Sequence, residues 1–427
     1  MNTNTIHSGD AFDVLPELPD ESIHAVVTDP PYGLAFMGRD WDDFEPKEYQ
    51  EWSERWAREC KRVLKPGGHL LAFSGNRTHH RLFTGVEDAG FEIRDTLTWH
   101  YGSGFPKASD ISKTIDKRAD AEREVVGENP NVRESNTDNV GVVDHEANEK
   151  TNYITAPATD AAKKWDGWKT GLKPATEFIV MARKPYDGAT VDSVLENGTG
   201  ALNIDGTRIG YDSNEPDERV KTDYSNPSVW SSEESHEGWR SGAHDEYEPD
   251  ELYKDEGRYP ANVVFDELAA EQLDADVGEL AARHFHDGGR RDDGKGTFHA
   301  EDSYDGPGEY GEKGGPSRYF YTSKASRSER TLDGKIDNAH PTVKPGDLMQ
   351  WLVKLVTAEN QIVLDPFCGS GTTLRAAKDL NRQFIGIERQ AKWADVARVR
   401  AGLTPEDPSI VRDDAGQSGL EAYKVTQ

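Results

Sequence analysis

An α/β fold built on a doubly wound, largely parallel sheet is what this 427-residue sequence predicts. Three observations predict it. Strand-like and helix-like runs alternate at both ends of the chain, while the middle is irregular. Two short apolar runs, IHAVVTD and QIVLD, end in an aspartate, Asp29 and Asp365, and residues that turn the chain sharply follow each. Ligands in such sheets bind outside the carboxyl ends of the strands, so the fold can bring these two acids together across a long sequence separation.

The elements follow in order. IHSGDAFDVL and IHAVVTD are strand-like runs that close in Asp or Gly. YQEWSERWARECKRVL carries apolar residues at helical spacing, and Lys65-Pro66-Gly67-Gly68 stops it. HLLAFSG reads as a short buried strand, FEIRDTLTWHY as another, and EFIVMARKP, from Glu177, as a third. The polar stretch at 120–172 between the last two reads as loop and mobile helix. Residues 1–185 are thus one half of an ordered domain. From 186 to 316 the character changes. Between Asp212 and Glu256 acids outnumber bases severalfold, and only short elements such as GALNIDGTRIG and RYPANVVFDE interrupt a loop-rich sequence. The core of this stretch reads equally as a solvated, partly disordered acidic linker or as a variable recognition region; its flanks favour recognition. Order returns over 317–427, where DLMQWLVKLVT, TTLRAAKDL and KWADVARVRAGL are helical and QIVLD and QFIGIE are strands.

Composition narrows the function. Asp and Glu total 79 against 50 Lys and Arg, a formal charge of −29. A duplex-DNA binder is ordinarily basic, because phosphate neutralisation supplies much of its affinity. The excess acid fits either an acidic enzyme with no nucleic-acid partner or a protein adapted to very high salt, where the Debye length falls to about 3 Å at 1 M and a negative surface repels DNA weakly. Few lysines and only 34% hydrophobic residues favour the second. Two cysteines, Cys60 and Cys368, cannot build a disulfide framework or a four-ligand zinc site. The N-terminus lacks a basic-then-apolar pattern and no apolar run approaches 18 residues, so a cytoplasmic protein with no membrane partner is expected.

Two segments carry chemistry. In VLDPFCGSGTTL, Gly369 and Gly371 let the backbone turn tightly and approach a ligand. The next strand ends in Glu388, placed to meet two ribose hydroxyls. There is neither the third glycine of a dinucleotide fingerprint nor a Gly-Lys-Ser/Thr phosphate loop. In Asp29-Pro30-Pro31-Tyr32, an acid is followed by a proline whose carbonyl can point into a site. An exocyclic amino nitrogen is a poor nucleophile because its lone pair is delocalised into the ring. Hydrogen bonds from its N–H groups to Asp29 and to a fixed carbonyl raise that electron density. Tyr32 offers a flat face for an extruded base.

Together, and in this order, these segments resemble the β group of DNA amino-methyltransferases, the N-4/N-6 methylase family. LKPGGHLLAF, TWHYGSGFPKA, EFIVMARKP and HPTVKP (His340 to Pro345) extend the resemblance over most of the chain outside the acidic stretch. The resemblance implies a circularly permuted, Rossmann-like S-adenosylmethionine-dependent methyltransferase sheet with an inserted target-recognition region at 186–316. It implies that Asp365, Pro366, Phe367, Gly369, Gly371 and Thr372 surround the methionine part of S-adenosylmethionine. It places Glu388 on the ribose, Asp10 with Ala11 at the adenine, and His340, Thr342, Lys344 and Pro345 against the cofactor. It also implies direct methyl transfer to a flipped base in double-stranded DNA, with Asp29 to Tyr32 as the catalytic turn. Asp-Pro-Pro-Tyr favours adenine N6; cytosine N4 stays open. A homodimer and a cognate restriction endonuclease are partners the group admits.

SRYFYTSKASRSER is locally basic, and Lys324, Arg327 and Arg330 can either meet phosphates or be solvated charges of a strand and turn. Trp99 and Tyr101 can stack on bases or belong to the core. His79-His80 and His284-Phe285-His286 lack matched ligands, so no metal is expected. An RNA or protein methyltransferase, a nicotinamide enzyme and a non-enzymatic DNA-binding protein are the rival readings. The last two leave either the Asp-Pro-Pro-Tyr turn or the intact cofactor loop unexplained.

Overall fold

The computed structural model describes residues 1–34, 42, 44–104, 108–128, 153–210, 257–278, 280–281, 313–323, 327–336, 338, 340 and 342–411. The strands in chain order are β1 (Thr5–Ser8), β2 (Ile23–Thr28), β3 (Leu64–Ser74), β4 (Glu92–His100), β5 (Val125–Glu128), β6 (Tyr153–Thr155), β7 (Thr176–Arg183), β8 (Val263–Asp266), β9 (Leu280–Ala281), β10 (Lys313–Gly314), β11 (Tyr321–Ser323), β12 (Ile362–Asp365) and β13 (Gln383–Glu388).

Nine of them form one sheet in the order β1-β13-β12-β2-β3-β7-β4-β8-β11. Every pairing in it is parallel except those of β7, which runs antiparallel to both β3 and β4. The α/β expectation therefore holds, with a mixed sheet. Successive side chains point to opposite faces. Ala25, Val27, Leu71 and Phe73 pack with the helices Gly346–Val356, Thr372–Asp379 and Ala391–Arg400. Val26, Leu70 and Ala72 pack with the helices Pro46–Val63 and His79–Asp88. Each such buried Val, Leu or Phe contributes roughly 1.5–3 kcal/mol.

The helix Pro46–Val63 begins earlier than its apolar spacing suggests, because Pro46 stands in its first turn and Glu45 and Glu48 form a capping box. Lys65 to Gly68 end it, but they do so inside β3. The register shifts between the Ile23–Leu64 and Ala25–His69 pairs, and Gly67 takes φ +78° to accommodate the bulge. VVFD, expected only as a short element of a loop-rich stretch, is β8 of the large sheet, and β11 joins beside it.

Compact units divide the chain differently from boundaries at 185/186 and 316/317. One comprises Met1–Gly102 and Thr176–Gln427; the other is Ser103–Ala175. The smaller unit contains the helices Ile111–Arg118 and Asp160–Lys164 and the antiparallel β5–β6 pair. It is organised around the buried Asp116, which accepts from Arg123, from the amides of Ala158 and Thr159, and from the Thr159 hydroxyl. These bonds hold its carboxyl down at about 2, against the cost of burial. Sequence pattern missed this unit because its order rests on a polar node and not on an apolar stripe.

Candidate active site

β2 and β12 lie side by side, and the chain leaves them in opposite directions across the sheet, β2 towards β3 and β12 towards β13. Such a switch of direction opens a crevice at the carboxyl ends of the strands. Asp29 follows β2 and Asp365 ends β12. Thr28 donates its hydroxyl to Asp365 Oδ1 at 2.6 Å, so the structure brings the two acid turns together.

On the β12 side, Asp365 Oδ1 also accepts the Phe367 amide at 3.1 Å. Burial pushes the Asp365 carboxyl up to about 6 despite the bonds from Thr28, Thr373 and Phe367. Pro366 is buried, and the Phe367 ring packs 5.3 Å from Trp52 and 5.5 Å from Trp56. Gly369 and Gly371 adopt φ +51° and +81°. A Cβ on Gly371 would stand 2.7 Å from that of Ala397, and one on Gly369 would meet the His340 ring at 3.1 Å. Glu388 reaches back into the loop, accepting from the amides of Gly369 (3.0 Å) and Gln390 (2.8 Å). Burial raises its carboxyl. β1 pairs Ser8 with Glu388, which sets Asp10 and Ala11 beside the same strand end. Asp10 caps the short helix Ala11–Val14 through the Phe12 amide, and Ala11 is buried.

Arg400, not singled out by sequence, braces the loop from behind. It is buried and donates to Ser370 O, Ser370 Oγ and Thr372 Oγ1 at 3.0–3.1 Å. Burial lowers it to about 10. No local pattern marks it, since it is one of several basic residues on a C-terminal helix.

On the β2 side, the turn is held by the Tyr49 phenol on Pro31 O (2.9 Å) and by Asp42 accepting from the amides of Gly33 and Leu34. Pro30 is buried. The Tyr32 phenol donates to Asp29 Oδ1 at 2.8 Å and lies 2.9 Å from Glu177 Oε2. Burial, with two carboxylates alongside, drives it well above the usual phenol range. Lys344 meets the acids on this side. Its Nζ lies 2.6 Å from Asp29 Oδ2 and 3.3 Å from Glu177 Oε2. The rest of HPTVKP behaves differently. His340 stacks edge-on to Trp393 at 4.9 Å over Gly369, Thr342 is exposed, and Pro345 caps the helix Gly346–Val356. Burial lowers His340 to about 4, so its ring is neutral.

Glu177 was legible only as the start of a strand. Because β7 runs antiparallel, its beginning sits at the carboxyl edge of its parallel neighbours, with Glu177 paired to Trp99. Trp99 packs on the core and 5.2 Å from Tyr101. Arg330 makes backbone contacts. Its guanidinium donates to Asn338 O (2.9 Å) and His340 O (2.6 Å), holding the segment that leads into HPTVKP. Arg327 opens the helix Arg327–Thr331; Lys324, His284 and His286 lie outside the described residues. His79 stacks on Phe178 at 4.3 Å, and no His, Cys, Asp and Glu group among the described residues can hold a metal. Cys60 and Cys368 are both buried in the core clusters. No described helix is long and apolar enough to cross a membrane.

Two carboxyls raised by burial make the β12 crevice receptive to a ligand that brings positive charge and hydroxyl donors. Glu388 accepts from the amides of Gly369, Arg389 and Gln390 and keeps a remaining lone pair for a ribose hydroxyl. S-adenosylmethionine, with a sulfonium, an ammonium and two ribose hydroxyls, fits that donor set. A cationic nucleoside at one strand end and an amino nitrogen at the next are what an amino-methyltransferase has to bring together. The chain belongs to the N6/N4 DNA methylase family, whose profile matches residues 23–398. The type II methyltransferase M.HindIII of Haemophilus influenzae is 24% identical over 438 residues, spanning 93% of this chain and 95% of the relative. The type II methyltransferase M.HinfI of Haemophilus influenzae is 44% identical over 89 residues, 21% of this chain and 25% of that one. Among solved structures, the cytosine-N4-specific PvuII DNA methyltransferase superposes with a TM-score of 0.43 at 14% identity, covering 94% of this chain and 86% of that one. The M1.HpyAVI–SAM complex gives 0.39 at 16% identity, covering 93% and 99%. The protein is an S-adenosylmethionine-dependent DNA methyltransferase of this family.

Proposed function

We propose that the enzyme methylates N6 of adenine at a specific sequence in duplex DNA, with the base flipped into the Asp29–Tyr32 turn. The observation that carries this reading is the Thr28–Asp365 bond, which sets the base-site acid beside the cofactor loop. Bound S-adenosylmethionine supplies an electrophilic methyl group. Asp29 and the Pro30 carbonyl accept the two amino N–H groups, which concentrates the lone pair on nitrogen as the N–C bond forms. Asp29 is also the acceptor at hand for the proton the nitrogen then loses. Tyr32, held by its phenol, offers a fixed face to the base. Asp365, Pro366, Phe367, Gly369, Gly371 and Thr372 line the methionine side, Glu388 holds the ribose, and Asp10 with Ala11 meets the adenine. The aspartate heading the turn supports adenine over cytosine N4.

We assign target recognition to the 186–316 stretch outside β8. Residues 103–175 support a second contact with DNA. They carry nearly as many basic as acidic side chains in a chain of −29, and exposed Trp165 and Trp168 alternate there with Lys163, Lys164 and Lys169. The acidity supports adaptation to molar salt. A homodimer and a cognate endonuclease are proposals that sedimentation and protection of DNA from digestion test.

Expression in a methylation-free, salt-tolerant host, followed by single-molecule detection of modified bases, tests the reading. N6-methyladenine at one short motif supports it. N4-methylcytosine replaces the base. Unmodified DNA, with folded protein that binds cofactor, overturns it in favour of an RNA or protein substrate.

A further inference from the structure

Both oxygens of Asp29 accept from the protein's own side chains. Asp29 Oδ1 takes the Tyr32 phenol and Oδ2 takes the Lys344 ammonium. Lys344 is buried, 5.4 Å from the Tyr32 ring centre and 5.0 Å from that of Phe73. Burial disfavours its charge, yet Asp29 and Glu177 together keep it above the ordinary lysine value. Each Asp29 oxygen keeps one further lone pair, but at Oδ2 an incoming amino group competes with an ammonium that draws off the electron density methyl transfer needs. Tyr32 has one proton to place between two carboxylates, whereas Lys344 has three and stands 3.3 Å from Glu177 Oε2. Lys344 is already shared between the two acids, so a small shift of Nζ towards Glu177 vacates Asp29 Oδ2 without stranding a buried cation.

We propose that Lys344 is a displaceable cap on Asp29, and that Glu177 is the seat to which it moves when the amino group of a flipped base enters. Glu177 is then a positioning residue for methyl transfer, acting through Lys344. The proposal rests on the reading of Asp29 as the amino-group acceptor. It accounts for a second carboxylate in a site whose chemistry needs one. It also accounts for the cation: Lys344 is a partner for Asp29 before a base enters, and offsets Glu177 once Asp29 has turned to the substrate.

The test compares methylation of duplex DNA, and binding of S-adenosylmethionine, in the wild type, Glu177→Gln, Lys344→Met and the double variant. Glu177→Gln is expected to lower kcat by ~10-fold or more with cofactor Kd within ~3-fold, because the cap has no charged seat to move to. Adding Lys344→Met to Glu177→Gln is expected to restore part of that kcat, because the cap itself is gone. A merely structural role for Glu177 does not produce such recovery. If lost cofactor binding shows that Glu177→Gln disturbs folding, Glu177→Asp gives the same comparison: a reduced kcat relieved by Lys344→Met. Wild-type kcat in Glu177→Gln, or a double variant whose losses multiply, overturns the proposal. A wild type that binds cofactor and methylates no DNA overturns the parent reading, and this one with it; losses confined to the variants bear on Glu177 alone.

Discussion

Thr28 and Asp365, 337 residues apart in sequence, share a 2.6 Å hydrogen bond between neighbouring strand ends. It joins the Asp29 turn to the glycine loop and favours the ionised form of an acid that burial raises to about 6. The folded value lies above the ordinary 3.8, so Asp365's contribution to stability is fully present below 3.8 and is lost as pH rises through about 6. Binding of a cation has the opposite sign and strengthens as the carboxyl ionises. Calorimetric titration of S-adenosylmethionine from about pH 5 to about pH 8 is expected to show affinity rising through about 6, with Thr28→Val moving the midpoint upward. A flat profile in the wild type would count against Asp365 as the cofactor's acid.

Asp29→Asn keeps the side chain's shape but replaces one acceptor oxygen with a donor. Methyl transfer is expected to fall by ~100-fold or more while cofactor affinity stays within ~3-fold. Stability also drops, because a buried Lys344 loses a charged partner; breaking such a pair costs about 3–5 kcal/mol. Thermal melting and single-turnover transfer separate the two effects. Equal activity in the mutant would refute the base-site assignment.

Arg400→Met removes the donors that hold Ser370 and Thr372. Each hydrogen bond to a charged group is worth about 1.5–3 kcal/mol, so a lower Tm and an S-adenosylmethionine Kd raised ~10-fold are expected, partly rescued by saturating cofactor. An unchanged Kd would mean that the loop keeps its shape without the brace.

Arg330→Ala distinguishes a structural arginine from a phosphate contact. With its guanidinium on Asn338 O and His340 O, its loss should weaken cofactor binding and leave the salt slope of DNA binding unchanged. A slope reduced by about 1 would restore the phosphate role.

At −29, self-repulsion is unscreened in dilute buffer. Activity is expected to persist in molar KCl, where the Debye length is about 3 Å, and to fall at low salt. A low-salt optimum with precipitation in molar KCl would sink the adaptation.

In IHSGDAFDVL, read as one strand-like run, only the start is strand, and Ala11–Val14 is a helix capped by Asp10. Sequence alone nonetheless determined most elements at both ends, the two acid-ended strand turns and the family they resemble. The reason is local: a period-two apolar run, a proline turn and glycines needed at positive φ are each written within a dozen residues. Tertiary structure decided what lies far apart in the chain. The antiparallel sense of β7 brings Glu177 to the carboxyl edge, the β12–β2 pairing sets Thr28 on Asp365, and the closing helix puts Arg400 behind the loop. VVFD became a sheet strand only because β4 and β11 offered it edges on either side. Lys344 could be read from HPTVKP as a residue of the cofactor side, but which acid it meets depends on where two distant strands end. That is settled by sheet order and strand direction, which no local pattern encodes.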